Sequence, residues 1–272
     1  TEKSFRGATI RRDIVSNRQE RRRRERDAKK TPKQHQMEMR LLQPWSVPVL
    51  QIKLPPEILD VMIAISDDVI ADKESINHGQ YLAGQIDTEL RVSHEMLVDA
   101  GIMIFFHDVV KQFVLHTKMQ QFPFNIDVVQ AEKYFVQMLT MWVVSQQPNE
   151  YNPIHVHTEC QISSVMYLKV PKFAPSKKTH RDLDDGSITF ISNVSADAEF
   201  SQTSLTIRPE VGDFFVFGAK QLHTVYPYRC EEGDTERRSV SFNAIYETGT
   251  TRKRRLEGDN TLPQKRNSGR IG

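Results

Sequence analysis

Lys133-Tyr134-Phe135-Val136-Gln137-Met138-Leu139-Thr140-Met141-Trp142-Val143-Val144-Ser145 is where this 272-residue chain turns to β-forming residues. β-Branched and aromatic side chains suit a pleated, half-buried surface better than a helix. Shorter stretches of the same character occur at Ile162–Val170, Ser187–Ile191, Ser204–Ile207, Asp213–Phe217 and Arg237–Tyr246, separated by loops containing Pro, Gly and Asn. Short strands at this spacing predict an antiparallel sandwich or barrel. No internal repeat and no Rossmann or P-loop glycine pattern is found in the sequence.

Upstream, the text from Met39 to Leu54 is apolar and punctuated by Pro44, Pro48 and Pro55, which predicts an extended leading strand. Pro55-Pro56-Glu57 then opens a helical pattern carried by Ile58, Val61, Met62 and Ile65, with proline at a favoured helix start. A second helix is predicted from about Ser93 to Lys118, apolar at Met96, Leu97, Ile102, Phe105, Phe106, Val109, Val110 and Phe113. The two helices read as a layer supporting the sheet.

Charge divides the chain more sharply than its net +2 implies. Residues 1–40 carry +8, residues 41–247 carry −11 and residues 248–272 carry +5. The first tail holds Arg21-Arg22-Arg23-Arg24 and has almost no apolar residue between Ser16 and Gln36, so it has no face of its own to bury. The expected organisation is a basic N-terminal arm over 1–40, a leading strand and supporting helices over 41–130, a β core over 131–247 and a basic C-terminal tail over 248–272. Such tails order on an acidic partner surface, on copies of the chain or on nucleic acid. Nucleic acid ranks last, because no aromatic residues interleave with the arginines. The longest apolar run, Ala100–Phe106, is too short to span a bilayer, so no membrane partner is expected. The charged start, Thr1–Arg12, does not read as a secretory signal, and Cys160 and Cys230 form no disulfide framework. A reducing location is expected, cytoplasmic or virion-associated.

Nine histidines are present, and three have a distinctive setting. His155-Val156-His157 comes after the turn Gln147–Pro153, and residues two apart in extended chain point to one side, so both imidazoles can serve one ion. His223 comes just after the apolar stretch Gly212–Phe217 and is placed to close a facial triad suited to Fe(II). Arg237, Ser239, Ser241 and Asn243 alternate along one face of a strand that otherwise reads as buried. An inward arginine needs an anion, and a carboxylate matches it in two-pronged fashion.

The order Tyr151-x-x-x-His155-x-His157, then Gly212-Asp213 before a Phe-rich strand, then His223-x-Val225, then Arg237-x-Ser239 resembles the Fe(II)/2-oxoglutarate-dependent oxygenases. It is most similar to their prolyl-hydroxylase-like family of bacterial and phage members. Trp142, Ser163-Ser164-Val165-Met166-Tyr167 and Arg237–Asn243 add to the likeness over about residues 130–247, whereas over 41–130 only Leu82-Ala83-Gly84-Gln85 is similar. Neither tail takes part.

The resemblance implies a mainly β, double-stranded β-helix (a cupin-like jelly roll) with supporting N-terminal helices. Fe(II) would sit between its sheets, and 2-oxoglutarate and O2 would be the cosubstrates. His155 would be the first ligand and His223 the distal one, with Arg237 and Ser239 holding the far carboxylate of 2-oxoglutarate. The superfamily usually has Asp or Glu where this chain has His157, so the third ligand is His157 or Glu159, two residues further on. Spacing and ligand preference favour His157, and Cys160, on the opposite face of an extended strand, is left out. The loops 172–186 and 192–203 are expected to flank the pocket mouth. The activity implied is a dioxygenase, a hydroxylase of unnamed substrate. The rival reading is a structural or adaptor protein of an assembly such as a phage virion, reusing the fold, with the tails as anchoring arms.

Overall fold

The computed structural model describes residues 47–175, 185–192, 203–231, 233 and 235–257. The expected arm over 1–40, the far part of the C-terminal tail and most of the loops 172–186 and 192–203 lie outside them. In chain order the elements are β1 (Val49–Lys53), α1 (Pro56–Ala71), a 3-10 turn (Gly79–Tyr81), β2 (Thr88–Val92), α2 (His94–Asp99), α3 (Met103–Gln121), α4 (Ile126–Ala131), β3 (Tyr134–Gln146) and β4 (Asn152–His155). They continue with β5 (Ile162–Lys169), β6 (Ile188–Ile191), β7 (Ser204–Ile207), β8 (Asp213–Gly218), β9 (Leu222–Val225), β10 (Arg237–Thr248) and α5 (Gly249–Leu256).

The strands form a six-stranded sheet, ordered β1-β8-β5-β10-β3-β2, and a four-stranded sheet, ordered β4-β9-β6-β7. Every strand pair is antiparallel. From β3 onward the chain passes back and forth between the sheets, with β3, β5, β8 and β10 in the larger one and β4, β6, β7 and β9 in the smaller. That alternation is a double-stranded β-helix, the jelly-roll way of burying two sheet faces against each other.

Period-two alternation gives the larger sheet two different faces. One face carries Met141 and Val143 from β3, Met166 from β5, Phe214 and Val216 from β8, and Val240 and Phe242 from β10, and it packs against Met62 of α1 and Phe106 and Val110 of α3. Phe106 meets the rings of Phe214 and Phe242 edge-on, at centroid distances of 6.1 and 5.7 Å. Such pairs contribute about 0.5–1.5 kcal/mol each beyond burial. The other face meets the smaller sheet through Val165, Tyr167, Phe215 and Phe217 packed on Ile188, Phe190 and Val225. Both predicted helices therefore support the sheet as expected, on the face away from the histidines.

The second predicted helix is in fact two. Gly101 adopts φ 70°, a left-handed conformation that ends α2, and α3 starts afresh at Met103. Ser93 caps α2 by accepting the Met96 N–H at 3.3 Å. The C-terminal segment, expected to be a polar tail, begins with helix α5, whose first turn is capped by the Thr248 hydroxyl accepting from Thr251 N–H at 3.1 Å. Arg252 of α5 lies over the Phe135 ring at 4.3 Å, and Arg255 pairs with Glu247, so charged residues that lack an apolar face still find partners on β3 and β10. Strands β2, β4 and β9 carry little hydrophobic signal, because each is only four or five residues long and half-exposed. Among the described residues no helix is long and apolar enough to cross a membrane.

Candidate metal centre

Antiparallel pairing of β4 with β9 sets His155 directly opposite His223. Their rings lie 4.2 Å apart, centroid to centroid, and His157 stands 5.3 Å from the first and 5.2 Å from the second. One ligand nitrogen from each of the three lies within 4.8 Å of the other two, a group able to hold a metal ion. β4 ends at His155, so His157 does not reach the group by strand alternation; its backbone N–H is tied to Ala219 O at 2.9 Å.

The hydrogen bonds fix the tautomers. His155 Nδ1 lies 2.7 Å from Pro153 O and His223 Nδ1 lies 2.9 Å from Gln221 O. A carbonyl only accepts, so each Nδ1 carries the hydrogen and each Nε2 is left with a free lone pair. Burial, with the adjoining imidazoles adding repulsion, lowers His157 to about 3 and His223 to about 4. Burial lowers His155 as well, against its bond to Pro153. All three are thus neutral near pH 7, the form that ligates metal. Three convergent neutral imidazoles with two fixed tautomers are a donor set that suits iron.

Glu159 is exposed, adopts φ 59° and stands outside the histidine group, although it lines the same cavity. The left-handed backbone breaks the alternation that would have carried it along the histidine face. Cys160 also lines the cavity, contrary to the strand-based expectation, for the same reason.

That cavity measures about 640 Å³. Arg237, Ser239, Ser241 and Asn243 all line it, as their alternation along β10 predicts. Arg237 is only 2% exposed, lies 5.6 Å from each of the rings of Tyr167 and Tyr228, and has no carboxylate partner among the described residues. Its Nη1 donates to Gly186 O at 2.5 Å and its Nη2 to Gln146 Oε1. One hydrogen on each terminal nitrogen is thus committed to a neutral oxygen, and the other hydrogen on each is left for a further acceptor. Nε remains without a partner, as do the nearby hydroxyls of Tyr167 and Ser187. Orphaned buried donors around one guanidinium are costly unless an anion completes them, so the pocket fits the carboxylate of a cosubstrate. Burial pushes both phenols up to about 12, so they remain donors at neutral pH.

Three contributors carried no sequence signal. Gln146 is fully buried and orients Arg237; Tyr228 accepts the Arg237 backbone N–H at 3.0 Å and lies 2.5 Å from Gln146 O. Glu89 of β2, 2% exposed, lines the cavity beside Trp142. An isolated Glu or Gln in sequence is a surface residue by default, and only its strand register reveals these two as interior.

Residues 140–243 match the family model described as "Putative 2OG-Fe(II) oxygenase". That segment contains all three histidines, Arg237 and Ser239, while Glu89 precedes it. Among curated proteins none matches the chain. Solved structures that align with it include a prolyl-4-hydroxylase from Pseudomonas putida, at 14% identity over 73% of this chain and 93% of that one, with TM-score 0.39. The viral collagen prolyl hydroxylase vCPH from Paramecium Bursaria Chlorella virus-1 aligns at 15% identity, 72% and 94% coverage and TM-score 0.40. A prolyl hydroxylase from Trichoplax adhaerens aligns at 10% identity, 77% and 86% coverage and TM-score 0.45. The fold of this chain rests on its own strand order.

Proposed function

We propose that this chain, whose residues 140–243 match the 2OG-Fe(II) oxygenase family, is an Fe(II)- and 2-oxoglutarate-dependent dioxygenase acting as a hydroxylase. The observation that carries the reading is the coexistence, in one cavity, of three neutral convergent imidazoles and a buried arginine with no carboxylate partner among the described residues. In this reading His155, His157 and His223 hold the iron, and Arg237 with Ser239 holds the distal carboxylate of 2-oxoglutarate. His157 takes the third position rather than Glu159, whose carboxylate lies outside the group. Iron, when bound, supplies O2 activation coupled to decarboxylation of 2-oxoglutarate to succinate.

The residues of the chain set geometry and access. Pro153 O and Gln221 O hold two imidazoles in the ligating tautomer. Gln146 and Gly186 fix the plane of the Arg237 guanidinium, so a carboxylate meets a pre-oriented partner. Phe217 and Phe190, 4.8 and 6.3 Å from the His223 ring, keep water from that side. No side chain is needed as a general base.

The basic segments are proposed as anchoring arms on an acidic protein partner or on copies of the chain, an assembly role that includes a virion. Tail charge is its support. The enzyme reading is tested by succinate release from 2-oxoglutarate in full-length protein loaded with Fe(II). Release that disappears in His223→Ala supports it. Absence of iron uptake by the folded wild type overturns it.

A further inference from the structure

We propose that Glu89 recognises a cationic N–H group of the substrate, the ammonium or guanidinium of a basic side chain, at the β2 side of the cavity. The proposal rests on reading the cavity as the oxygenase site and deepens it to a substrate class.

Glu89 is 2% exposed, lines the cavity, and its Oε2 has no hydrogen-bond partner. A buried carboxylate oxygen left unpaired costs more than any ordinary surface carboxylate, so its retention inside a pocket calls for a partner that arrives from outside. Backbone without side chains runs close to that carboxylate. A Cβ placed at Gly79 would lie 3.2 Å from Glu89 Oε2, and one at Gly84 would lie 3.2 Å from Oε1 and 2.6 Å from Asn152 Oδ1. Two glycines thus lie against the carboxylate, where a Cβ would make a tight contact with it.

The adjoining wall is aromatic. His78, whose backbone N–H donates to Glu89 O at 2.6 Å, has its ring 5.2 Å from Tyr81 and 6.2 Å from Trp142, and all three line the cavity. A carboxylate beside aromatic faces is chemistry that suits an organic cation. Charge balance points the same way. Among the described residues the charged side chains lining the cavity are Glu89, Glu159 and Arg237. Once Arg237 is matched by the cosubstrate's far carboxylate, the charged side chains left among these are two carboxylates.

The groups facing Glu89 do not supply the missing cation. Burial, with repulsion from Glu150 added, lifts the Glu89 carboxyl to about 7. Burial and the nearby Arg91 lower His78, keeping it neutral. Arg91, two residues along β2, is exposed and does not line the cavity.

The test uses the full chain with Fe(II) and 2-oxoglutarate, without oxygen, and calorimetric titration of four probes. N-acetyl-arginine amide and N-acetyl-lysine amide carry the cation; N-acetyl-citrulline amide and N-acetyl-norleucine amide are their neutral counterparts. At least one cation should bind about tenfold or more tightly than its counterpart, as a charge-assisted bond implies. The preference should vanish in Glu89→Gln and persist in Arg91→Ala. Which cation binds better separates an ammonium from a guanidinium. Equal binding of cation and counterpart by the wild type, no binding of any probe, or a preference that survives Glu89→Gln overturns the proposal. If Glu89→Gln fails to fold, the wild-type preference and a weakened one in Glu89→Asp decide. Iron and 2-oxoglutarate uptake measured in the same samples separates the two readings. A cation preference without uptake leaves Glu89 standing and removes the oxygenase, while uptake without preference does the reverse.

Discussion

Arg237 and Arg238 are consecutive residues of β10, and they face opposite sides of the larger sheet. Arg238 turns toward α1, where its guanidinium binds Glu236 at 2.9 Å through both Nε and Nη2, donates to Ser66 at 3.1 Å and pairs with Asp67. Arg237 turns toward the smaller sheet and, among the described residues, meets two neutral oxygens, two phenol rings and no carboxylate. The carboxylates repeat the contrast. Glu236 accepts from Ser145, Lys169 and Arg238, whereas Glu89, on the other side, has an oxygen with no donor at all. The helix-backed face satisfies its own charges and so serves stability. The inner face leaves matched gaps, which is what a site awaiting ligands requires.

The strongest way to break this contrast is at the metal. His155→Ala or His223→Ala should reduce iron from about one per chain to none, while Glu159→Gln keeps it; iron content by elemental analysis checks this. Unchanged iron in both alanine variants would return the histidines to the core. On the helix-backed face, Phe242→Ala should cost about 3–5 kcal/mol of stability by leaving a cavity against Phe106 and Phe214. Denaturant unfolding measures it, and a loss below about 1 kcal/mol would mean that the face is loosely packed.

The two arginines should exchange phenotypes. Arg238→Ala should lower stability by about 2 kcal/mol, because Glu236 loses its guanidinium partner, yet leave 2-oxoglutarate affinity unchanged. Arg237→Ala should weaken 2-oxoglutarate binding by about 2 kcal/mol, roughly thirtyfold, while sparing iron. Calorimetry on both variants decides, and equal affinities would make Arg237 structural.

The smallest effects are in the pH profile of unfolding. Burial opposes ionisation of Glu236, but hydrogen bonds from Arg238, Ser145 and Lys169 outweigh it and hold the carboxyl at about 2 against an ordinary 4.5. The unfolded chain then takes up the proton first, so this stabilisation is complete above pH 4.5 and drains away as pH falls toward 2. Glu89 runs the other way. Burial and Glu150 raise it from 4.5 to about 7, so the folded chain holds the proton longer and stability declines as pH climbs between those values. Glu236→Gln should flatten the acid slope and Glu89→Gln the neutral one, read as denaturation midpoints across pH.

Much of the site was legible because a strand alternates. Arg237, Ser239, Ser241 and Asn243 share a face by period alone, and the structure puts all four in the cavity. His155 and His223 were legible as members of an ordered motif. The histidine group holds neither Glu159 nor Cys160, yet both line the cavity, because the chain leaves the extended conformation after His155 and the left-handed backbone at Glu159 turns the next residues onto a new face. The break at Gly101 was missed because apolar spacing continues across it, while the glycine's φ is a matter of backbone rather than pattern.

By itself the sequence determined the β character, the helical character of the supporting layer, the alternating polar face of β10 and which histidines come together. These depend on local periodicity and residue type, which neighbouring positions specify. Only tertiary structure decided that His155 faces His223 across a strand pair, that Gln146 and Gly186 orient Arg237, and that Glu89, from a strand outside the matched segment, enters the same cavity. Those relations depend on register between segments tens of residues apart, and register is set by the closure of the whole sheet.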